Sequence, residues 1–394
     1  MIKLTAGPKW YLFGRALATT ASLIFAFYYS KELGVLSRSY LVLIMTSSVL
    51  IGISLSSGTT LTLRNLSVEK ISRVNISSFN SLIVIQALIG VALLLGTLLA
   101  FSNLKLYLHP TLVASALVYF VSSLAHLVVF ELLISFGAFR MLAAVELLTV
   151  SIQFCIYFFL RSFFSFSTAI NLIFALMLSY FLVVSMCLKY LSVKFEYPII
   201  FGDPKVFFRQ TRGNHMLGTI LTIVDRSDRL IIAWFLPITL LAKYAIMSSS
   251  IAFFRFIPEA LGKLIISGKL NILFKPSQRK LLFLGVVAFM ICSVFLLQSL
   301  IGYFLGPQWL LPLGVTFVFA LQELARGAFQ LTANSRVSRG NSSSAHNASI
   351  LLLLFSYPLA LTLASAYGII GVPLGFLVSY LLVLQIMRLG GKSV

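Results

Sequence analysis

The chain has 394 residues, of which 59% are hydrophobic and only 10% are charged. Soluble domains carry about a quarter charged residues, so this composition excludes an ordinary water-soluble globular protein. The formal charge is +20, from 30 Lys and Arg against 10 Asp and Glu. We assign the basic excess to cytoplasmic loops and anionic lipid headgroups. Nucleic-acid binding is excluded because no soluble segment is long enough to fold a reader domain.

Apolar runs recur along the whole chain, each about as long as a helix that crosses a hydrocarbon core of roughly 30 Å. They predict an all-α polytopic membrane protein rather than a barrel, whose strands are shorter and alternate in hydropathy. The predicted spans are 10–30, 40–61, 80–101, 111–133, 139–160, 168–188, 215–236, 239–262, 281–304, 310–331, 348–366 and 369–388. Cys155, Cys187 and Cys292 lie in apolar runs without metal-ligand spacing, so we expect neither a metal site nor a cofactor.

The basic residues are distributed unevenly between the two sides that these spans define. Most Lys and Arg fall in alternate connections on one side, whereas the other side carries few, among them Lys31, Arg38, Lys105 and Arg161. Because cytoplasmic loops carry the excess of Lys and Arg, this asymmetry predicts that both termini are cytoplasmic.

The longest predicted connection, 191–212, is polar and basic and contains Pro198 and Pro204. It divides the chain into an N-terminal lobe of six spans (1–190) and a C-terminal lobe of six spans (213–394), a halving that is common in secondary transporters. No long outer loop and no nucleotide-binding motif of the Walker type is visible. We therefore expect a transporter rather than an enzyme or an ATPase.

Four charges stand near the middle of the seventh span, in the sequence Asp225-Arg226-Ser227-Asp228-Arg229. Each charge at the bilayer centre costs about 2.5–3.5 kcal/mol, so four facing lipid would cost on the order of 10 kcal/mol. We expect them to face a polar cavity or partners within the bundle. Two interpretations stay open: a salt-bridge network that locks the fold, with Asp225 and Arg229 paired at i,i+4, or Arg226 or Arg229 meeting an anionic group such as phosphate.

Two further pairs of opposite charge lie at helical spacing inside spans. Arg255 and Glu259 are separated by one turn around Pro258, and Glu323 and Arg326 are spaced i,i+3. For both pairs, a structural ion pair and a functional role remain alternatives.

Three ionisable residues stand alone within spans. Arg15 either snorkels to the inner interface or faces the lumen. Glu146 is a candidate proton carrier, although pairing with a neighbour such as Arg140 is the simpler expectation. We interpret His126 as an interior residue with its hydrogen bonds satisfied.

Several stretches resemble polysaccharide-type flippases. Gly14-Arg15 through Ser30-Lys31-Glu32-Leu33-Gly34, followed by Ser37-Arg38-Ser39-Tyr40, resembles the first two helices of those proteins. The stretches 224–232 and 367–375 resemble the family's Asp-plus-hydrophobic signature and its Gly-rich entry to a late helix. Ser39 and Lys243 stand where the family often has Gly. Together these stretches resemble a Wzx-type O-antigen or capsule repeat-unit flippase of the multidrug/oligosaccharidyl-lipid/polysaccharide exporter (MOP) superfamily.

This resemblance implies a MATE-like fold with two six-helix lobes around a central cavity. The implied substrate is a short oligosaccharide on undecaprenyl pyrophosphate, moved from the inner to the outer leaflet of the bacterial inner membrane by alternating access. The implied coupling ion is H⁺ or Na⁺. Membrane lipids, a polysaccharide polymerase and a chain-length regulator are the implied partners.

Under this hypothesis, guanidinium groups bind the pyrophosphate and carboxylates couple to the ion or pair with the guanidiniums. The substrate-binding candidates are Arg226, Arg229, Arg255, Arg15 and Arg326. The candidates for ion coupling or pairing are Asp225, Asp228, Glu259, Glu323 and Glu146. The competing hypotheses are a cation-coupled multidrug antiporter of the same superfamily, a membrane-embedded polysaccharide polymerase or ligase, and a non-transporting scaffold.

Overall fold

A computed structural model describes residues 6–65, 73–103, 110–164, 167–195, 201–251, 276–338 and 342–390. Within these ranges the regular secondary structure is helical and contains no β-strand. The helices are α1 (Ala6–Asn65), α2 (Arg73–Asn103), α3 (Pro110–Ser135), α4 (Phe139–Phe163), α5 (Thr168–Phe195), α6 (Pro204–Phe235), α7 (239–251), α8 (Pro276–Leu305), α9 (Leu313–Ser338), α10 (Ser342–Tyr367) and α11 (Gly371–Gly390). Short 3₁₀ turns at Pro307–Trp309 and Gly368–Ile370 precede α9 and α11.

Six helical stretches in the described ranges are long and apolar enough to cross a membrane. They are Phe13–Ser57, Ile76–Ala100, Val113–Ser135, Phe139–Phe163, Thr168–Lys194 and Ser343–Arg388. The first and the last contain 45 and 46 residues, which is about twice the length of one span. The all-α, multi-pass architecture predicted from hydropathy is therefore confirmed.

The α1 helix contains the first two predicted spans and bends at Gly34. There the backbone has φ 71° and ψ 169°, a combination that is essentially restricted to glycine. A Cβ built at Gly34 would have no heavy atom within 4 Å. The glycine is thus required for its backbone conformation rather than for close packing, and it separates two helical segments that contain the first two predicted spans.

The connection predicted at 191–212 is mostly helical. The α5 helix continues to Phe195, and α6 begins at Pro204. Proline is favoured in the first turn of a helix, where its missing N–H has no intrahelical role, so Pro204 starts α6 rather than marking a loop. Gly202 lies between the two helices and donates its N–H to the Ser77 carbonyl at 3.1 Å.

The described chain falls into two compact units. The first, here the N-unit, comprises Ala6–Ala18 and Leu43–Arg226. The second, here the C-unit, comprises Thr19–Val42 and Ser227–Val394. The middle of α1 thus belongs to the C-unit although it precedes the rest of that unit by almost two hundred residues. The division into lobes 1–190 and 213–394 remains a prediction.

Packing in the C-unit explains why the middle of α1 belongs to it. A buried apolar cluster joins α7, α8 and the turn that follows α8, and it consists of Ala242, Ile246, Ile301, Leu305 and Trp309. Phe27 and Val35 of α1 pack against this cluster. The Phe27 ring also lies 6.4 Å from that of Phe304, measured between centroids. Burial of apolar side chains therefore holds the α1 segment on both sides of the Gly34 kink.

We predict that Gly34→Ala lowers the free energy of unfolding by about 1–3 kcal/mol, because alanine is strained at this φ and ψ. The matched control is Gly96→Ala in α2, where an added Cβ also meets no atom within 4 Å but the backbone is helical. There the change should be neutral or stabilising by up to about 1 kcal/mol. Thermal unfolding of the purified protein in one detergent measures both, and equal melting temperatures for the two variants would contradict the assignment.

Candidate functional site

The C-unit contains a group of buried polar side chains that starts near the end of α6. Asp228 is 6% exposed and Ser227 is also buried, although both lie in a helix of a membrane-spanning fold. A carboxylate in apolar surroundings is costly unless polar groups hold it. The partners of Asp228 therefore define the site.

Tyr244 of α7 is the main side-chain partner of Asp228. Its hydroxyl donates to Asp228 Oδ2 at 2.9 Å, and Asp228 Oδ1 accepts the backbone N–H of Arg229 at 2.7 Å. The Tyr244 ring is fully buried and meets Phe319 of α9 edge to face, with centroids 5.1 Å apart. An aromatic contact on one side and a charge-assisted hydrogen bond on the other fix this tyrosine.

Arg229 makes a second link from α6 to α7. Its Nη2 donates to Ser248 Oγ at 2.8 Å, and Ser248 donates its own proton to the Ala245 carbonyl at 3.1 Å. Since that proton is used, the Ser248 oxygen accepts from the guanidinium. The predicted alternative partner, the side chain of Asp225, lies outside the described residues.

The α9 helix adds a buried ion pair. Arg326 Nη1 lies 3.1 Å from Glu323 Oε1, at the predicted i,i+3 spacing. Both residues are buried, and Glu323 interacts electrostatically with Tyr244. Glu323 and Arg326 thus form an ion pair, the pairing that their spacing allows, and a functional role for either residue stays a prediction.

Tyr357 of α10 completes the group. It forms a side-chain hydrogen bond with Ser227 and interacts electrostatically with Asp228. Four helices thus contribute to one buried assembly, which we call the C-unit polar cluster. Its members are Ser227, Asp228, Arg229, Tyr244, Ser248, Glu323, Arg326 and Tyr357.

The cluster combines two carboxylates, two guanidiniums and several hydroxyl groups. Such a set can exchange a proton or cation at Asp228 or Glu323 and can bind an anion at the guanidiniums. Among the described residues, no group of three or more His, Cys, Asp and Glu is arranged to hold a metal ion.

The other charged residues predicted for spans seven and eight are not assigned to this cluster. Arg226 is half-buried and belongs to the N-unit. Arg255 and Glu259 lie outside the described residues. The substrate-binding roles predicted for Arg226 and Arg255 accordingly stay predictions.

The N-unit has its own intramembrane ion pair, between Arg15 and Glu146. Arg15 Nη1 lies 2.5 Å from Glu146 Oε1, with side-chain exposures of 22% and 9%. The expected partner of Glu146 was Arg140, but that residue is exposed. The neighbouring Gly14 permits the pairing, because a Cβ there would lie 2.7 Å from the Ala143 Cβ of α4.

His126 of α3 has the interior environment that was expected. Its Nε2 lies 3.3 Å from Thr149 Oγ1, and Thr149 donates its proton to the Val145 carbonyl at 2.7 Å. The His126 ring also stacks on Tyr180, with centroids 4.5 Å apart. Because the Thr149 proton is engaged, Nε2 of His126 is the donor in this hydrogen bond.

Sequence reasoning missed several polar residues of the C-unit. Tyr244 and Tyr357 are neutral and do not stand out from an apolar run, whereas Ser248 belongs to a run of three serines that already indicates a helix facing other helices or water. Arg38 was assigned to an outer loop, yet it is 4% exposed. Its guanidinium carbon lies 4.4 Å from the centroid of the Tyr29 ring. The second helical segment of α1 begins directly after Gly34, so Arg38 lies within a packed helix rather than in a connection.

Comparisons with known proteins identify the fold. No protein-family model matches the chain, and no curated protein matches its sequence. A mutant form of the Vibrio cholerae MATE transporter VcmN is 16% identical with a TM-score of 0.65, over 97% of this chain and 94% of that one. The lipid II flippase MurJ in an inward closed conformation is 14% identical with a TM-score of 0.64, over 97% and 86%. A MOP superfamily transporter from Pyrococcus furiosus is 12% identical with a TM-score of 0.62, over 99% and 98%.

These structural likenesses extend over nearly the full length of each chain. At such low identities they establish the fold alone. The chain has the all-α MATE-like fold that the resemblance implied.

We predict that Tyr244→Phe destabilises the protein by about 1–2 kcal/mol, because it removes a hydrogen bond to a buried carboxylate. Tyr303→Phe is the matched control, since Tyr303 is 84% exposed, and its effect should stay within about 0.5 kcal/mol. Thermal unfolding in detergent compares the two variants. A Tyr244→Phe protein as stable as the control would show that Asp228 does not depend on this donor.

Proposed function

We propose that this protein is a MOP-superfamily transporter that flips an undecaprenyl-pyrophosphate-linked oligosaccharide across the bacterial inner membrane. The observation that carries the proposal is the C-unit polar cluster, in which carboxylates and guanidiniums are buried within helices of a MATE-like fold. Charged groups inside membrane helices are costly and usually mark a transport pathway or a proton relay.

The chemistry of the cargo explains why guanidiniums are needed. A pyrophosphate and its sugars are costly to place in hydrocarbon, whereas the polyprenyl tail can remain in the bilayer. Arginine provides a planar fork of donors that matches phosphate oxygens. We assign the anion contacts to Arg226 and Arg229, with Arg255, Arg15 and Arg326 as further candidates. Membrane lipids surround the protein, and a polymerase and a chain-length regulator would receive the product.

Asp228 and Glu323 are the proposed coupling groups. While Asp228 is ionised, it accepts the Tyr244 proton at 2.9 Å. If it took up a proton, it could donate instead of only accepting, and the hydrogen bonds around Tyr244 would rearrange. A proton or cation moving down its gradient would thereby change the contacts between α6 and α7, which is what ion-coupled alternating access requires. Glu146, paired with Arg15, is the corresponding candidate in the N-unit.

The second candidate function is a cation-coupled multidrug antiporter. Buried carboxylates suit cationic substrates, and the chain is similar in fold to the MATE transporter VcmN. The flippase is favoured because the sequence resembles polysaccharide-type flippases in several stretches, and because the fold is also similar to that of the lipid II flippase MurJ. A polymerase or ligase is less well supported, since the predicted outer loops are short.

The experiment is complementation in bacterial strains that lack their own repeat-unit flippase, with surface polysaccharide as the readout. We predict that the chain restores polysaccharide in at least one strain, and that Asp228→Asn reduces it about tenfold or more because the coupling carboxylate is lost. Asp203→Asn is the matched control: Asp203 is exposed and accepts the Lys205 N–H at 2.9 Å, so its activity should be unchanged.

Dye efflux measured in the same strains separates the two candidate functions. Restored polysaccharide without dye efflux supports the flippase. Dye efflux that depends on Asp228, together with no polysaccharide in any strain, would overturn the flippase in favour of the antiporter. Membrane abundance of each variant, measured by immunoblot, excludes loss of protein as the cause.

A further inference from the structure

A cleft at one end of the C-unit has no role in the function proposed above. It lies where the end of α9 meets the beginning of α10 and the end of α11, three helices that pack together. Its volume is about 280 Å³, just below the roughly 300–1,000 Å³ that is usual for sites that enclose a whole small molecule. The cleft is therefore large enough to receive one part of a larger ligand, such as the headgroup of a lipid.

Arg336 of α9 provides the charge of the cleft. Its side chain lines the cleft and is half-buried. One terminal nitrogen donates to the Ser344 hydroxyl of α10 and the other to the Met387 carbonyl of α11. These two contacts hold the guanidinium in place. A guanidinium has more N–H donors than two such hydrogen bonds use, so donors remain for a ligand in the cleft.

The three helices around the cleft provide no carboxylate for Arg336. The sequence contains neither Asp nor Glu after Glu323, and Glu323 is paired with Arg326. At a rise of 1.5 Å per residue, Glu323 lies about 20 Å from Arg336 along α9, too far for a direct contact. The acceptors of Arg336 among the described residues are thus a neutral hydroxyl and a neutral carbonyl. An anion would complete the site, and phosphate matches the planar fork of arginine.

The spacing of the lining residues on α10 favours a lipid over a soluble phosphate. Ser343, Asn347 and Leu351 follow one another at intervals of four residues, so they lie on one face of the helix, and all three line the cleft. A stretch apolar enough to cross a membrane begins at Ser343, and Leu351 lies two turns further along it. The cleft therefore presents polar groups at the membrane boundary and apolar groups towards the hydrocarbon, which is the order of groups in a lipid.

We propose that this cleft binds the phosphate group of an anionic glycerophospholipid, with Arg336 as the charged contact. Ser343 and Asn347 add hydrogen bonds to the headgroup. Leu351 and Ile386, which also line the cleft, contact the beginning of the acyl chains. The charge asymmetry of the sequence predicts that the connection between α9 and α10 is cytoplasmic, so the lipid belongs to the inner leaflet, whose surface potential is negative. The inference does not depend on which cargo the protein transports.

Native mass spectrometry of the purified full chain in detergent tests the proposal. The probes are phosphatidylglycerol, a diacylglycerol with the same acyl chains, and inorganic phosphate. We predict that phosphatidylglycerol binds most tightly, because it alone combines the phosphate with the acyl chains. Arg336→Gln should weaken binding of phosphatidylglycerol about tenfold or more, because a charge-assisted contact is lost, and should leave binding of the diacylglycerol unchanged.

Arg388→Gln is the matched control. Arg388 is an exposed cation at the same end of α11, but it does not line the cleft. This variant should bind phosphatidylglycerol like the unmodified protein. An equal loss of affinity in Arg336→Gln and Arg388→Gln would overturn the proposal, because it would show a general attraction of anionic lipid to a basic surface.

A second variant keeps the test decisive if Arg336→Gln does not fold. Asn347→Asp changes an exposed residue of the cleft to one of almost the same shape, so the packing of α10 is preserved. The new carboxylate repels a phosphate and competes with it for Arg336. Binding of phosphatidylglycerol should therefore fall about tenfold. A variant that folds and keeps the original affinity would contradict the site.

Two further results would overturn the proposal. Inorganic phosphate that binds as tightly as phosphatidylglycerol, and depends equally on Arg336, would show a site for free anions instead of a lipid. Undecaprenyl phosphate that binds more tightly than phosphatidylglycerol, again through Arg336, would assign the cleft to the proposed cargo rather than to a lipid of the surrounding bilayer.

Discussion

An ionisable side chain inside a membrane helix must be held by other polar groups, and this constraint organises the protein. Removing a charge from water without a partner costs more than most packing interactions return. Asp228 is held by Tyr244, Glu323 by Arg326, and Glu146 by Arg15. Two of these contacts join different helices, so they determine which helices pack together as well as where the charges lie.

Under the proposed function, the same constraint connects the fold to transport. A bundle of purely apolar helices would avoid the free-energy cost of burying charged groups. The C-unit nevertheless buries charged groups of both signs on α6 and α9, and tyrosines of α7 and α10 lie against them. Groups of this kind respond to a proton, a cation or an anion by exchanging hydrogen-bond partners.

The sequence predicted the architecture well because helix length and hydropathy are local properties. The multi-pass topology, the all-α class and the pairing of Glu323 with Arg326 all depend on residues within a few turns of each other. The partner of Glu146 could not be predicted, because Arg15 lies 131 residues away and no local pattern connects them. The burial of Arg38 and the helical parts of 191–212 were missed for a related reason: polar residues lie within helices there, where composition alone indicates a loop.

The central claim is that the C-unit polar cluster becomes accessible to water during transport, and labelling of a cysteine at Ser248 by a membrane-impermeant thiol reagent tests it most directly. The three native cysteines would first be replaced by alanine, and Leu354→Cys, on an exposed apolar position of α10, would serve as the lipid-facing control. We expect the cysteine at position 248 to be labelled in membranes and the one at 354 to remain unlabelled. Absence of labelling at 248 whatever the ion gradient, in a protein that still transports, would show that the cluster is a sealed structural element.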